Sequence, residues 1–139
     1  MLLTVDAVEI IKLPHHFEGN GDLVVMEGLT NIPFAIARVF VVRAPENAIR
    51  GQHAHRACTQ FLTCPRGIVE VLCDDGKQKV SFVLEHPNVG LLVPPSIWSQ
   101  QTYKVEGAAL TVLCDRPYEV DDYIRSYPDY LDYRNETNF

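Results

Sequence analysis

The segment Arg50-Gly51-Gln52-His53-Ala54-His55 carries the pair of side chains best suited to chemistry. Residues i and i+2 of a strand project to one face, so a strand here presents both imidazoles together. Imidazole titrates close to neutral pH, and it either exchanges protons or ligates a metal. The intervening Ala54 leaves open whether that face looks into a core or out to water. Two surface or structurally hydrogen-bonded histidines would show the same spacing. Cys58, Cys64, Cys73 and Cys114 form no C-x-x-C pair and read as buried free thiols rather than disulfides or metal ligands. Glu70 and the Asp74-Asp75 pair read as strand-edge and turn residues, not as a general-acid pair.

Strands must hold such a pair, and the pattern of the chain supplies them. Period-two runs dominate and place strands at Leu3–Ile11, Leu23–Glu27, Ile36–Val42, Gly51–His55, Gln60–Thr63, Ile68–Cys73, Gln78–Leu84, Leu91–Val93, Trp98–Lys104 and Ala108–Cys114. Asp74-Asp75-Gly76 marks a tight hairpin, since Asp-Gly tolerates the positive φ angles that such turns need. His15 and His16, between Pro14 and Gly19, read as loop. Helical spacing is confined to Val120–Tyr130, where Pro128 is expected to limit the helix. About ten short strands manage their edges by closing into a barrel or a double-sheet jelly roll. The expected fold is therefore all-β, one domain over residues 1–139, with a short C-terminal helical tail.

Composition narrows the classes of function. The chain has 139 residues, 47% of them hydrophobic and 22% charged, which suits a buried core. Twelve basic residues against eighteen acidic ones give a net charge of −6 without a Lys/Arg run, so phosphate-backbone binding to nucleic acid is not expected. The first residues carry no basic region ahead of their apolar stretch, and no apolar run approaches the ~18 residues of a membrane span. A soluble cytoplasmic protein is the expectation.

Gly51-Gln52-His53-Ala54-His55, followed by Gln60 and Gly67, resembles the first cupin motif, G-x-H-x-H with an acidic ligand and a glycine turn. Gly90-Leu91-Leu92-Val93-Pro94-Pro95-Ser96-Ile97-Trp98-Ser99 resembles the second, which in metal-binding members ends in histidine. Gln60 and Ser99 stand where the glutamate and the third histidine would be. Amide and hydroxyl oxygens are weak substitutes for carboxylate and imidazole on a transition metal, so no metal is expected. A metal-free histidine pair in a barrel mouth suggests acid–base work beside a carbonyl.

The wider set Asn31–Phe40, Arg50–His55, Asp74–Gly76, Val89–Leu91, Pro95–Trp98, Tyr118 and Asp122–Tyr127 resembles the dTDP-4-keto-6-deoxyglucose 3,4-ketoisomerases with their WxcM-like jelly roll. The likeness runs from about residue 20 to residue 131. It implies a cofactor-independent homodimer whose subunits exchange strands. The implied reaction moves the ketone of a dTDP-linked 4-keto-6-deoxy sugar from C4 to C3 through an enediolate. Carried over, His55 is the carbon acid/base and His53 handles the oxygen protons, with the pair firmer than the division of labour. Arg50 is a candidate diphosphate contact, because guanidinium pairs well with phosphate. Phe40 stands near a position where the family commonly has tyrosine, and Ser99 where it commonly has histidine. Ser99 is then expected to hold water or a sugar hydroxyl, and Tyr103, on the same strand, to supply a phenol. Trp98 is a candidate for stacking on the base, against the alternative of a core or interface residue. Three other readings stay open at this level: a sugar-nucleotide epimerase, a silent nucleotide-sugar-binding subunit, and a metal-dependent cupin.

Overall fold

The computed structural model describes residues 2–137. In chain order its strands are β1 (Glu9–Lys12), β2 (His15–Glu18), β3 (Gly21–Val24), β4 (Arg38–Arg43), β5 (Ile49–His55), β6 (Gln60–Arg66), β7 (Val69–Asp74), β8 (Lys79–Leu84), β9 (Val89–Val93), β10 (Trp98–Tyr103), β11 (Ala109–Cys114) and β12 (Tyr123–Ile124), followed by helix α1 (Tyr127–Thr137). Two five-stranded antiparallel sheets form, ordered β1-β9-β6-β11-β4 and β12-β5-β10-β7-β8. The hairpin β2-β3 stands apart from both. The all-β jelly roll expected from period-two patterning is the architecture that forms.

Burial follows the alternation. Along β7, Val69, Val71 and Cys73 are fully buried while Glu70 and Leu72 are not. They meet Leu62, Leu91, Leu110 and Val112 of the opposite sheet, so the main core lies between the two layers. β6 is buried on both faces, because Phe61 packs on its far side with Leu13, Ile32, Phe34 and Leu113. A third cluster, Ala54, Trp98, Ile124 and Tyr130, lies beneath α1.

The Asp74-Asp75-Gly76 hairpin forms between β7 and β8. Asp75 Oδ1 accepts from the amides of Lys77 (2.9 Å) and Gln78 (2.8 Å), and Gly76 takes φ +91°. Three other segments differ from expectation. In place of a long strand from Leu3, Val5–Ala7 is a 3₁₀ turn capped by the Thr4 hydroxyl, and β1 begins only at Glu9. His15 and His16 lie on β2 rather than in a loop, with His15 Nε2 2.6 Å from Asp22 Oδ2 across the hairpin.

Val120–Tyr130 is not one helix. It is a 3₁₀ turn at Val120–Asp122, then β12, then the start of α1. Pro128 opens α1 instead of limiting it, because first-turn amides have no intrahelical acceptor and lose nothing to proline. Ser126 Oγ accepts from Asp129 N at 3.3 Å and caps that turn. The helix is fastened by the Tyr130 hydroxyl, 2.9 Å from Asp74 O and 2.7 Å from Ser96 O, and by Arg134 Nη1, 2.7 Å from Leu3 O. Among the described residues, no helix is long and apolar enough to cross a membrane.

Candidate active site

An irregularity in the pairing of β5 with β10 builds the site. Ser99 is opposite His53 and Gln100 is opposite Gly51, which leaves Gln52 as an extra residue in β5. Gly51 (φ +85°) and Gln52 (φ +51°) both adopt left-handed backbone at this bulge. Strict alternation would send Arg50 and His53 to opposite faces. The extra residue turns both toward one cleft of about 210 Å³ between the sheets. Glycine suits position 51, where the backbone is left-handed and a Cβ would press on the Gln101 side-chain amide.

Phe40, Arg50, His53, Gln60, Gln101, Tyr103, Tyr123 and Arg125 all line this cleft. His53 Nδ1 is 2.9 Å from the Gly51 carbonyl, which can only accept, so the hydrogen sits on Nδ1 and Nε2 keeps its lone pair. Burial, then the neighbouring His55, push its pKa down to about 4. Arg125 and Arg38 add to that depression, and the Gly51 carbonyl opposes it.

His55 sits behind His53, with the ring centroids 4.9 Å apart and the planes perpendicular. It is 6% exposed and is not itself part of the cleft wall. Its Nδ1 is 2.7 Å from Asp122 Oδ2, both side chains being buried. Asp122 Oδ1 accepts from Ala57 N at 2.6 Å, so the carboxylate is held at both oxygens. Burial pushes the Asp122 carboxyl up, but the hydrogen bonds from His55 and Ala57 outweigh it and leave the group below the ordinary range. Burial also pulls His55 below the ordinary imidazole value, against the pull of Asp122. A neutral ring with its hydrogen on Nδ1, facing an ionised carboxylate, results. His55 Nε2 is buried and has no hydrogen-bond partner among the described residues.

Tyr123 packs on both histidines, 4.4 Å from the His55 ring and 5.2 Å from that of His53. Arg38 Nη2 donates to its hydroxyl at 3.0 Å, and the Arg125 guanidinium lies 4.2 Å from its ring centroid. Asp122, Tyr123, Arg125, Arg38 and Gln101 were not read from the sequence as site residues. The period-two spacing of Tyr123 and Arg125 is the usable signal, masked by the helical spacing of Val120–Tyr130.

The expected residues divide. Arg50, His53 and Tyr103 meet at the cleft, with the Tyr103 hydroxyl buried and unpartnered and its pKa raised by burial to about 12. Ser99 faces inward opposite His53 but lies behind Gln101, whose Nε2 donates to its Oγ at 3.2 Å. Trp98 is not brought to the cleft. One residue from Ser99 on the same strand, it projects to the other face of the sheet and packs edge-on against Tyr127 at 5.2 Å, so the core alternative describes it. Donor atoms of His55, Cys58 and Asp122 lie within 4.8 Å of one another, but both Asp122 oxygens already serve His55 and Ala57.

Residues 6–135 match the family model described as FdtA, WxcM-like, C-terminal. The TDP-4-oxo-6-deoxy-alpha-D-glucose-3,4-oxoisomerase of Aneurinibacillus thermoaerophilus is 33% identical over 131 residues, 94% of each chain. Among solved structures, QdtA, the 3,4-ketoisomerase of Thermoanaerobacterium thermosaccharolyticum, superposes with a TM-score of 0.90 at 31% identity, covering 98% of this chain and 97% of that one. That crystal holds a histidine-to-asparagine variant in complex with TDP-4-keto-6-deoxyglucose. WlaRA, the TDP-fucose-3,4-ketoisomerase of Campylobacter jejuni, matches with a TM-score of 0.86 at 28% identity over 96% of this chain and 99% of that one.

Proposed function

The chain belongs to the FdtA family of WxcM-like, C-terminal domains, and from this membership and its cleft we propose that it is a TDP-sugar 3,4-ketoisomerase. Its substrate is a TDP-linked 4-keto-6-deoxyhexose, whose ketone it moves from C4 to C3. The observation that carries the reading is the histidine pair at the cleft: His53 lines it with Nε2 left for a substrate proton, and His55, its Nδ1–H committed to Asp122, backs the His53 ring, which favours His53 over the expected His55 as the carbon base.

In the proposed reaction His53 Nε2 takes the C3 hydrogen, which is acidic because it lies α to the C4 carbonyl. The electron pair left at C3 forms an enediolate. A proton passes from O3 to O4, and a proton returns to carbon at C4 while the C3–O bond becomes the ketone. One C–H bond breaks and another forms, so the sugar undergoes no net oxidation and the reaction needs no redox cofactor. Asp122 holds the His55 ring in place against His53 through its ionised carboxylate. The low pKa of His53 keeps its ring neutral near neutral pH, the state in which it can take a proton.

Arg50 and Arg125 give an acidic protein a local positive wall for the diphosphate. Tyr103 offers its unpartnered hydroxyl to the sugar, and Ser99 acts through the Gln101 amide that it positions. We further propose a cytoplasmic homodimer of single-domain subunits. The β2-β3 hairpin supports it, pairing with no other strand among the described residues and leaving Phe17 75% and Leu23 60% exposed.

The test is incubation with TDP-4-keto-6-deoxyglucose in D₂O, followed by NMR of the hexose. Deuterium at C4 with a ketone at C3 is the expected result, and it should survive exhaustive chelation of the enzyme. A product with the ketone still at C4 and altered stereochemistry elsewhere would mark an epimerase instead.

A further inference from the structure

Ala54, between the two histidines, projects to the far face of β5 and is fully buried there in the cluster with Trp98, Ile124 and Tyr130. Helix α1 therefore backs the strand that carries His53 and His55. It also reaches the end of that strand through a single turn residue. Ser96, just ahead of β10, is buried and holds a left-handed backbone (φ +71°), which a residue with a side chain adopts only where its surroundings enforce it. The Ser96 amide donates to the His55 carbonyl at 2.7 Å. The Ser96 carbonyl accepts from α1: the Tyr130 hydroxyl lies at 2.7 Å and Arg134 Nη1 at 3.0 Å, both side chains being buried. The single hydroxyl hydrogen of Tyr130 is shared with the Asp74 carbonyl at 2.9 Å, so the charged Arg134 donor completes the hold on Ser96. Covering Ala54 and Trp98 requires only the ring of Tyr130. Two buried donors nevertheless converge on one strained residue, a single hydrogen bond away from His55.

We propose that Tyr130 and Arg134 of α1 are positioning residues: by holding the Ser96 carbonyl they keep Ser96 left-handed, and the Ser96 amide then fixes the His55 end of β5, from which the His55 ring backs His53. The effect on turnover rests on the isomerase reading; the alignment of the two rings does not. His55 is held from the other side as well, by the pairing of its backbone with Tyr123 of β12 and of its ring with Asp122. Release of the Ser96 side leaves that strand end fixed on one side only. The two rings meet edge to face at 4.9 Å, so a small shift of the His55 backbone is passed to His53.

The experiment compares Tyr130→Phe and Arg134→Gln with Ser126→Ala, which removes the cap of α1 but no donor to Ser96. Kinetics are measured well below each melting temperature, and the imidazole nitrogens are followed by NMR in histidine-labelled, substrate-free protein. Tyr130→Phe and Arg134→Gln should each lower kcat by about tenfold with KM within about twofold, and should shift the His55 and His53 resonances. Ser126→Ala should lower Tm and leave kcat and the resonances in place. Ser96→Gly takes the left-handed backbone without penalty, so combined with Tyr130→Phe it should recover most of the lost kcat. Unmoved resonances in the folded Tyr130→Phe and Arg134→Gln proteins overturn the proposal, and unchanged kcat overturns its part in turnover. An equal loss of kcat in Ser126→Ala reduces α1 to a structural cover, and no recovery in the double variant breaks the link through Ser96. If Tyr130→Phe does not fold, Arg134→Gln decides. A wild-type protein that turns over no 4-keto sugar counts against the isomerase reading, and the resonances then decide the alignment.

Discussion

Among the site residues, His55 and His53 differ less in chemistry than in what each ring nitrogen touches. Asp122 fixes the hydrogen on His55 Nδ1, and a backbone carbonyl fixes it on His53 Nδ1. His53→Asn keeps a polar shape but cannot take the C3 proton, so kcat/KM should fall ~10²–10⁴-fold with the fold intact. Solvent exchange of the C3 hydrogen should vanish with it. His55→Asn should be milder, because His55 acts through its contact with the His53 ring, and Ser99→Ala milder still. Steady-state kinetics with C3–H exchange on each variant checks the order, and undiminished exchange in folded His53→Asn would remove that residue from the base's role.

The same two rings give stability a pH dependence of known sign. His53 ionises at about 4 in the folded protein against 6.5 for the free side chain, so between these values the unfolded chain binds more protons. The stability gained by keeping His53 neutral is complete above pH 6.5 and is lost as pH falls toward 4. His55, also lowered, adds in the same direction. Melting temperatures measured down this range should fall less steeply in His53→Asn than in wild type.

At the scale of elements, the β5 bulge decides what the cleft contains. Gly51→Ala would place a methyl against the Gln101 amide and hold alanine at φ +85°. The backbone alone costs about 1–2 kcal/mol. Displacement of Gln101 should also weaken the cleft, so the variant should melt lower and show a raised KM. A variant with wild-type stability and KM would mean that the bulge is not needed to bring Arg50 and His53 together. On the opposite face, α1 packs Tyr127 and Tyr130 against Trp98.

For the whole molecule, two sheets enclose the cleft, while one hairpin reaches out with its apolar side chains uncovered. A second copy of the chain is the proposed cover. Sedimentation should give a dimer for wild type, and Phe17→Asp should shift it toward monomer, since burying a carboxylate in an apolar interface is unfavourable. An unchanged dimer in that variant would move the interface away from β2-β3.

Local pattern was enough for the all-β class, the hairpin at Gly76 and the pairing of His53 with His55 on one face. Each depends on neighbours in the chain: alternation, a turn residue, a spacing of two. Recognition of the family rested equally on short runs such as Arg50–His55 and Asp122–Tyr127. Only the folded chain decided the rest. Arg50 joins His53 because a bulge, formed by pairing with β10, breaks the alternation. Asp122 reaches His55 across 67 positions, and Arg38 meets Cys114 across 76. Neither spacing leaves a local trace, because the register of antiparallel sheets, not the order of residues, puts those side chains in contact.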